Sequence, residues 1–242
     1  IGRLSAAFNE MTDSLRTARQ IQNDFAANVS HELRTPLTSV KTMTETLRSG
    51  AADDLEVRDM FLETVESEAD RLIRLVNDLL LLSRADSHVL NLQAQPVCLA
   101  ELVSAQIKPI AARTANPIIT DIPEDLMVLV DRDRIAQVLI NVLDNAVKYS
   151  RPEGKITISA RVSDPTHYQI SIRDEGIGIG AADLARIGQR FYRTDKARSR
   201  AQGGSGLGLA IASALVEAHG GRLWLESVEG AGTAVHFLLP KN

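Results

Sequence analysis

The stretch D-R-I-A-Q-V-L-I-N-V-L-D-N-A-V-K-Y-S (residues 133–150) carries two patterns with the period of an α-helix. Its apolar residues form one predicted buried face: Ile135, Val138, Leu139, Val142 and Ala146. Asn141, Asn145 and Lys148, at i, i+4 and i+7, form a polar stripe beside that face. An amide oxygen can hold a hard cation and a lysine can bind phosphate. The stripe therefore indicates a cation and phosphate site, with a merely solvated helix face as the alternative.

Two glycine-rich segments lie further along the chain. D-E-G-I-G-I-G (174–180) follows a predicted strand, so Asp174 is an acceptor at a strand end, while Gly176 and Gly178 let backbone approach a flat ligand. It lacks the third glycine of the dinucleotide fingerprint. G-G-S-G-L-G-L-A-I-A (203–212) runs into a predicted helix, which suits phosphate, but it lacks the lysine of a Walker A loop. Either segment alone would also fit an ordinary turn.

Helices and strands alternate after residues 91–96. The pattern predicts helices near 99–114, 133–149 and 206–219, and strands near 127–130, 155–162, 168–174, 222–227 and 233–240. Strands paired as hairpins with helices between them predict an α/β sandwich with a mixed sheet. The polar, basic stretch 189–202 is interpreted as a lid, with a solvated loop as the alternative.

The first part of the chain has a different pattern. Residues 1–50 and 55–86 are predicted helices with apolar positions three and four apart, such as Leu62, Val65, Ala69, Leu72, Val76 and Leu79. Gly50 suits a helix C-cap, and Asp53 or Asp54 an N-cap. The segment is therefore a predicted helical hairpin that dimerises into a four-helix bundle, or one that packs against the rest of its own chain.

The stretch S-H-E-L-R-T-P-L (30–37) lies within the first of these helices. On the helical wheel His31 points away from the apolar positions, towards solvent, and Pro36 cannot donate a hydrogen bond to the carbonyl of Glu32. A lone surface histidine is usually only solvated. A carboxylate beside this histidine and a possible nucleotide site in the same chain favour a chemical role.

The order of the Asn-rich helix, D-x-G-x-G, F-Y-R and G-x-G-L-G-L resembles the N, G1, F and G2 boxes of the ATP-binding domain of sensor histidine kinases. This Bergerat-type fold is shared with type II topoisomerase, mismatch-repair and chaperone ATPases. The resemblance implies that ATP and Mg²⁺ bind here. The residues it implies for nucleotide binding are Asn141, Asn145, Lys148, Tyr149, Asp174, Gly176, Gly178, Phe191, Arg193, Gly204, Gly206, Leu207 and Gly208. Among them it implies that Asn145 binds Mg²⁺ and that Asp174 accepts a hydrogen bond from the adenine amino group.

S-H-E-L-R-T-P-L closely resembles the H box of the same family, and the hairpin resembles its dimerisation and phosphotransfer domain. The resemblance implies that His31 is the phosphoacceptor and that Glu32 orients or deprotonates its ring. It also implies that Thr35 positions water for the dephosphorylation of a partner response regulator, which would receive phosphate on an aspartate. ATP-dependent autophosphorylation of His31 is the expected reaction.

The first eleven residues, I-G-R-L-S-A-A-F-N-E-M (1–11), resemble the last helix of a HAMP-type linker. We therefore expect the signalling linker at 1–20, the dimerisation and phosphotransfer domain at 21–90 and the ATP-binding domain at 91–242. The chain begins without methionine, which indicates a piece of a longer protein. The resemblance implies the cytoplasmic portion of a bacterial sensor in the inner or plasma membrane, attached only through an upstream segment.

Composition is consistent with this interpretation. The 242 residues carry a net charge of −4, which gives no reason to expect nucleic acid or an anionic membrane surface as a partner. A single cysteine excludes an intrachain disulfide. Two rival interpretations are a gated ATPase of the chaperone or topoisomerase type and a non-catalytic dimeric scaffold. The histidine-bearing hairpin argues against the first, and the intact boxes argue against the second.

Overall fold

The computed structural model describes residues 2–87, 89–194 and 204–241. The chain divides into two compact units, Ile1–Asn77 and Asp78–Asn242. Among the described residues, no helix combines the length and the apolar character needed to span a membrane.

The first unit is built on the predicted helical hairpin. Helix α1 spans Gly2–Arg48 and helix α2 spans Leu55–Asp86, with the end of α2 assigned to the second unit. Gly50 has a φ of 116°, a left-handed conformation that glycine adopts without strain. The Asp54 carboxylate accepts hydrogen bonds from the backbone N–H groups of Glu56 (3.0 Å) and Val57 (3.3 Å). Gly50 and Asp54 thus occupy the turn as predicted.

The apolar positions of α2 divide into two lines. Val65, Leu72 and Leu79 are half-buried, whereas Leu62, Ala69 and Val76 are exposed. Leu62 and Val76 leave 51% and 44% of their surface accessible. Within the hairpin, one line of the heptad pattern is therefore left uncovered.

The second unit contains two sheets. The strands are β1 (Gln95–Cys98), β2 (Ile118–Asp121), β3 (Met127–Val130), β4 (Ile156–Val162), β5 (His167–Asp174), β6 (Leu223–Val228) and β7 (Gly232–Pro240). Strands β1 and β3 form an antiparallel pair. The other five form a sheet in the order β2-β4-β5-β7-β6, in which β2 and β4 are parallel and the remaining pairs antiparallel. The predicted mixed sheet is confirmed.

Helix α3 (Leu99–Ala111) packs against β1 and against α4 (Arg132–Tyr149), and α4 and α6 (Gly208–Ala218) pack against the five-stranded sheet; a short helix, α5, spans Ala181–Leu184. Alternate side chains of the strands are buried beneath them, among them Ile156, Ile158, Ile170, Ile172, Phe237 and Leu239. The helices contribute Ile135, Val138, Leu139, Leu143, Ile211 and Leu215 to the same core. The five residues predicted as the buried face of 133–150 all lie in it.

Strands β1 and β2 have no counterpart in the predictions. Both are four residues long and β1 contains Pro96. Two residues of β1 and three of β2 are exposed, so neither strand shows a clear alternation of apolar and polar residues. Neighbouring strands, rather than local pattern, decide that these segments are extended.

Candidate functional site

Asp174 lies at the end of β5 and is only 6% exposed. Its Oδ1 atom accepts hydrogen bonds from the backbone N–H groups of Gly176 (2.8 Å) and Thr233 (3.3 Å). Burial raises the pKa of this carboxyl, against the opposing effect of those bonds and of Arg173. Both bonds go to one oxygen, so the other can accept a bond from a ligand.

The two glycines after Asp174 are required by the protein's own packing. A Cβ on Gly176 would lie 2.2 Å from the carbonyl oxygen of Tyr149, and one on Gly178 would lie 2.0 Å from that of Val228. Gly178 also has a φ of +66°. The segment is held against the end of α4, where the N–H of Ile177 donates to the Tyr149 carbonyl at 3.1 Å. Close backbone contact therefore explains these glycines without a ligand, a reason that differs from the one expected.

The polar stripe of α4 faces the second glycine segment. A Cβ on Gly208 would lie 3.4 Å from Asn141 Oδ1, and one on Gly204 would lie 3.7 Å from Lys148 Nζ. Asn141 Nδ2 is buried and has no hydrogen-bond partner among the described residues. Asn145, one turn on, is half-buried, and Lys148 Nζ lies 5.3 Å from the centroid of the Tyr149 ring. Folding thus brings two segments that are about sixty residues apart into one site.

Phe191 and Gly206 lock the F-Y-R segment onto the same glycine loop. The Phe191 N–H donates to the Gly206 carbonyl at 3.0 Å, and both residues have positive φ, 62° and 72°. Leu207 is completely buried and anchors the start of α6, whereas Arg193 is half-exposed. The part of the predicted lid at residues 195–203 lies outside the described residues.

His31 is exposed on α1, as the helical wheel predicts. The Thr35 hydroxyl donates to the His31 carbonyl at 3.3 Å, and α1 continues through Pro36. Glu32 forms an ion pair with Arg71 of α2 at 3.6 Å. The pattern gave no signal for Arg71, because its relation to Glu32 depends on the pairing of the two helices.

His219, at the end of α6, is a second residue that the pattern did not reveal. Its buried ring accepts a hydrogen bond at Nε2 from the Asp131 N–H (3.0 Å), and Nδ1 lies 2.7 Å from the Leu215 carbonyl. The Asp131 carboxylate caps the N-terminus of α4. Burial lowers the pKa of His219. His219 therefore joins the two helices that carry the polar stripe and the glycine loop.

The donor set at α4 fits a magnesium ion bound together with phosphate. The amide oxygen of Asn145 is a hard ligand, and the described residues hold no cluster of three His, Cys, Asp or Glu side chains that would form a metal cage. Mg²⁺ commonly keeps its waters and binds one or two protein oxygens plus substrate phosphates.

A hairpin with an exposed histidine, followed by an α/β sandwich with a buried aspartate and a glycine loop, defines a class of protein in which a phosphoacceptor domain is joined to a nucleotide-binding domain. Two family models match these parts. The model described as "His Kinase A (phospho-acceptor) domain" matches residues 21–88, and "Histidine kinase-, DNA gyrase B-, and HSP90-like ATPase" matches residues 130–242. The chain belongs to the sensor histidine kinase family.

Relatives and solved structures agree with this assignment. The chain is 41% identical to the sensor histidine kinase WalK of Bacillus subtilis, in a match that covers 99% of this chain and 40% of that protein. The chain thus spans two fifths of that relative's length. A mycobacterial sensor histidine kinase, MprB, is 30% identical with a TM-score of 0.54, covering 62% of this chain and 98% of that chain. Histidine kinase ThkA, solved in complex with the response regulator protein TrrA, is 26% identical with a TM-score of 0.70, covering 94% of this chain and 64% of that chain.

Proposed function

We propose that this chain is the kinase portion of a sensor histidine kinase, which phosphorylates His31 with ATP and then passes the phosphoryl group to an aspartate of a response regulator. The observation that carries the proposal is an exposed histidine in an H box on the same chain as a buried aspartate beside a glycine loop. ThkA, solved with a response regulator, supports the partner class.

The adenine amino group of ATP would donate to the free oxygen of Asp174, with Tyr149 against the nucleotide. Phosphate would lie between Lys148 and the loop of Gly204, Gly206 and Gly208, where the orphaned Asn141 amide can donate a hydrogen bond. Mg²⁺, bound through Asn145, would neutralise charge on the phosphates. Phe191 and Leu207 hold the loop in shape, and Arg193, two residues after Phe191, would bind the nucleotide.

In the reaction, one ring nitrogen of His31 attacks the γ-phosphorus. A phosphorus–nitrogen bond forms, the bond from that phosphorus to the β–γ bridging oxygen breaks, and ADP leaves. The proton on the other ring nitrogen passes to the Glu32 carboxylate. Positioning and charge neutralisation supply most of the rate.

Thr35 would position the water molecule that hydrolyses the phosphorylated response regulator. Its hydroxyl lies one helical turn from His31 on the same face. A Thr35→Ala variant should keep autophosphorylation and lose regulator dephosphorylation, measured with phosphorylated receiver domain; equal loss of both activities would contradict this role.

The active form is proposed to be a homodimer in which two hairpins make a four-helix bundle. The exposed line of Leu62, Ala69 and Val76, with Leu37 at 55% and Ile73 at 59% exposure, supports it. An apolar stripe of this kind needs a partner in water.

The proposed domains are a HAMP-type linker end at 1–20, the dimerisation and phosphotransfer domain at 21–90 and the ATP-binding domain at 91–242. The matched relatives are bacterial sensor kinases. We place this portion in the cytoplasm, attached to a membrane sensor through an upstream segment.

The deciding experiment incubates the chain with Mg²⁺ and γ-labelled ATP beside His31→Gln. Label that is acid-labile, base-stable and absent from the variant is expected. ATP hydrolysis without labelled protein, equal in both chains, would instead support the gated ATPase. The absence of both labelling and hydrolysis would support the scaffold.

A further inference from the structure

Arg71 of α2 lies between two carboxylates. Its Nη2 atom is 3.6 Å from Glu32 Oε2 on α1, and its Nη1 atom is 3.6 Å from Glu68 Oε2, one turn earlier on α2. One guanidinium therefore joins the residue next to His31 to the second helix of the hairpin.

Both carboxylates are shielded from water more than the arginine is. The side chains of Glu32 and Glu68 are 23% and 24% exposed, against 41% for Arg71. Glu68 Oε2 is buried, and no described residue gives it a hydrogen bond. Both carboxylates contact the same guanidinium, and two carboxylates in such surroundings repel one another unless a cation lies between them.

The planar guanidinium is suited to this position because it can face two carboxylates at fixed angles, which a lysine ammonium on a flexible stem does less well. Glu68 holds Arg71 from its own helix, so Arg71 remains in place when Glu32 takes up a proton and becomes neutral. The arrangement can therefore persist through a reaction cycle.

We propose that Arg71 is a positioning residue for autophosphorylation, which acts by holding the Glu32 carboxylate where it can accept the ring proton of His31. The inference rests on the proposed function. Arg71 makes and breaks no bond itself. Without it, repulsion from Glu68 turns Glu32 away from the hairpin, and the proton acceptor is lost from its place.

The test measures kcat and KM for ATP in the autophosphorylation of the whole chain. Arg71→Ala should lower kcat roughly 10-fold, a part of the general-base contribution, and leave KM unchanged because the nucleotide residues are untouched. Arg71→Lys should restore part of the rate. Arg74→Ala removes an exposed arginine one turn away on the same helix, for which no ion pair with a described residue is found, and should behave as wild type.

A double-mutant cycle with Glu32→Gln separates positioning from general damage to the hairpin. Arg71→Ala should cause no further loss of rate in the Glu32→Gln background. Equal losses in both backgrounds, or a wild-type kcat for Arg71→Ala, would overturn the proposal. If Arg71→Ala does not dimerise, the same cycle is measured with Arg71→Lys, whose loss of rate should likewise disappear in the Glu32→Gln background. Failure of the wild-type chain to label His31 would refute the proposed function. Normal labelling of the wild-type chain, with an unchanged rate in the Arg71 variants, would refute only this inference.

Discussion

The hairpin and the α/β sandwich bury their apolar residues to very different degrees. In the sandwich, core side chains such as Ile135, Leu139 and Phe237 are completely inaccessible to water. In the hairpin, Leu37, Leu62 and Ile73 each leave more than half of their surface exposed. A sheet covered by helices completes a core within one chain, whereas two helices cannot cover both apolar lines.

This difference separates two kinds of stability. The sandwich buries its apolar core within itself, whereas the hairpin leaves an apolar line exposed that the proposed dimer would cover. We therefore expect substitutions in the sandwich to change its stability equally at any protein concentration. Substitutions on the exposed line of the hairpin should change the dimerisation equilibrium instead.

The largest effect is expected where the sandwich packs most tightly. Gly178→Ala places a Cβ 2.0 Å from a carbonyl oxygen at a φ of +66°, so we expect a loss of at least about 3 kcal/mol in the free energy of unfolding, measured with urea. Gly180→Ala is the matched control, because its Cβ would meet only a flexible carboxylate at 3.5 Å. Similar losses for the two variants would show that close packing is not the cause.

The hairpin is tested by a charge on its exposed line. Val76→Asp would bury an unpaired carboxylate in the proposed dimer, so we expect the dimer dissociation constant to rise on the order of 100-fold by sedimentation equilibrium. The thermal transition of the sandwich should not move. Ser67→Asp puts the same charge on an exposed position off the heptad line and serves as the control. A dimer that tolerates Val76→Asp would mean that another surface holds it.

Asp174→Asn should separate nucleotide binding from stability inside the sandwich. An amide would present a donor to the adenine amino group, so we expect affinity for an ATP analogue to fall about 10- to 100-fold by calorimetry. The folded-state pKa of Asp174 is raised, so its charged form destabilises the fold increasingly as the pH rises from about 3.8 through that pKa. The variant should therefore be at least as stable as wild type at pH 7. A variant clearly less stable than wild type at pH 7 would contradict the claim that the buried, charged carboxylate destabilises the fold.

The smallest effect is a pH dependence within the sandwich. The pKa of His219 is lowered on folding, so the unfolded chain binds more protons, and stability that is complete above about pH 6.5 falls as the pH drops. One such group contributes at most about 1.4 kcal/mol per pH unit. His219→Gln should lose less stability than wild type between pH 7 and 5.5 in urea titrations. His236, whose pKa burial also lowers, is measured separately as His236→Gln; an unchanged acid slope in His219→Gln would refute the prediction.

The sequence alone determined the helical hairpin, the α/β sandwich with its mixed sheet, the buried face of α4 and the exposure of His31, because each depends on a repeat of side chains along one helix or strand. The order of the four nucleotide motifs could also be identified from the sequence, since each is a short local pattern.

Tertiary structure alone decided the rest. It placed Asn141 and Lys148 beside Gly208 and Gly204, made Gly176 and Gly178 obligatory through contacts with distant carbonyls, paired β1 with β3, and joined Arg71 to Glu32 and His219 to Asp131. These contacts join residues that are far apart in sequence, and no local period records which distant partner the fold will bring to each side chain.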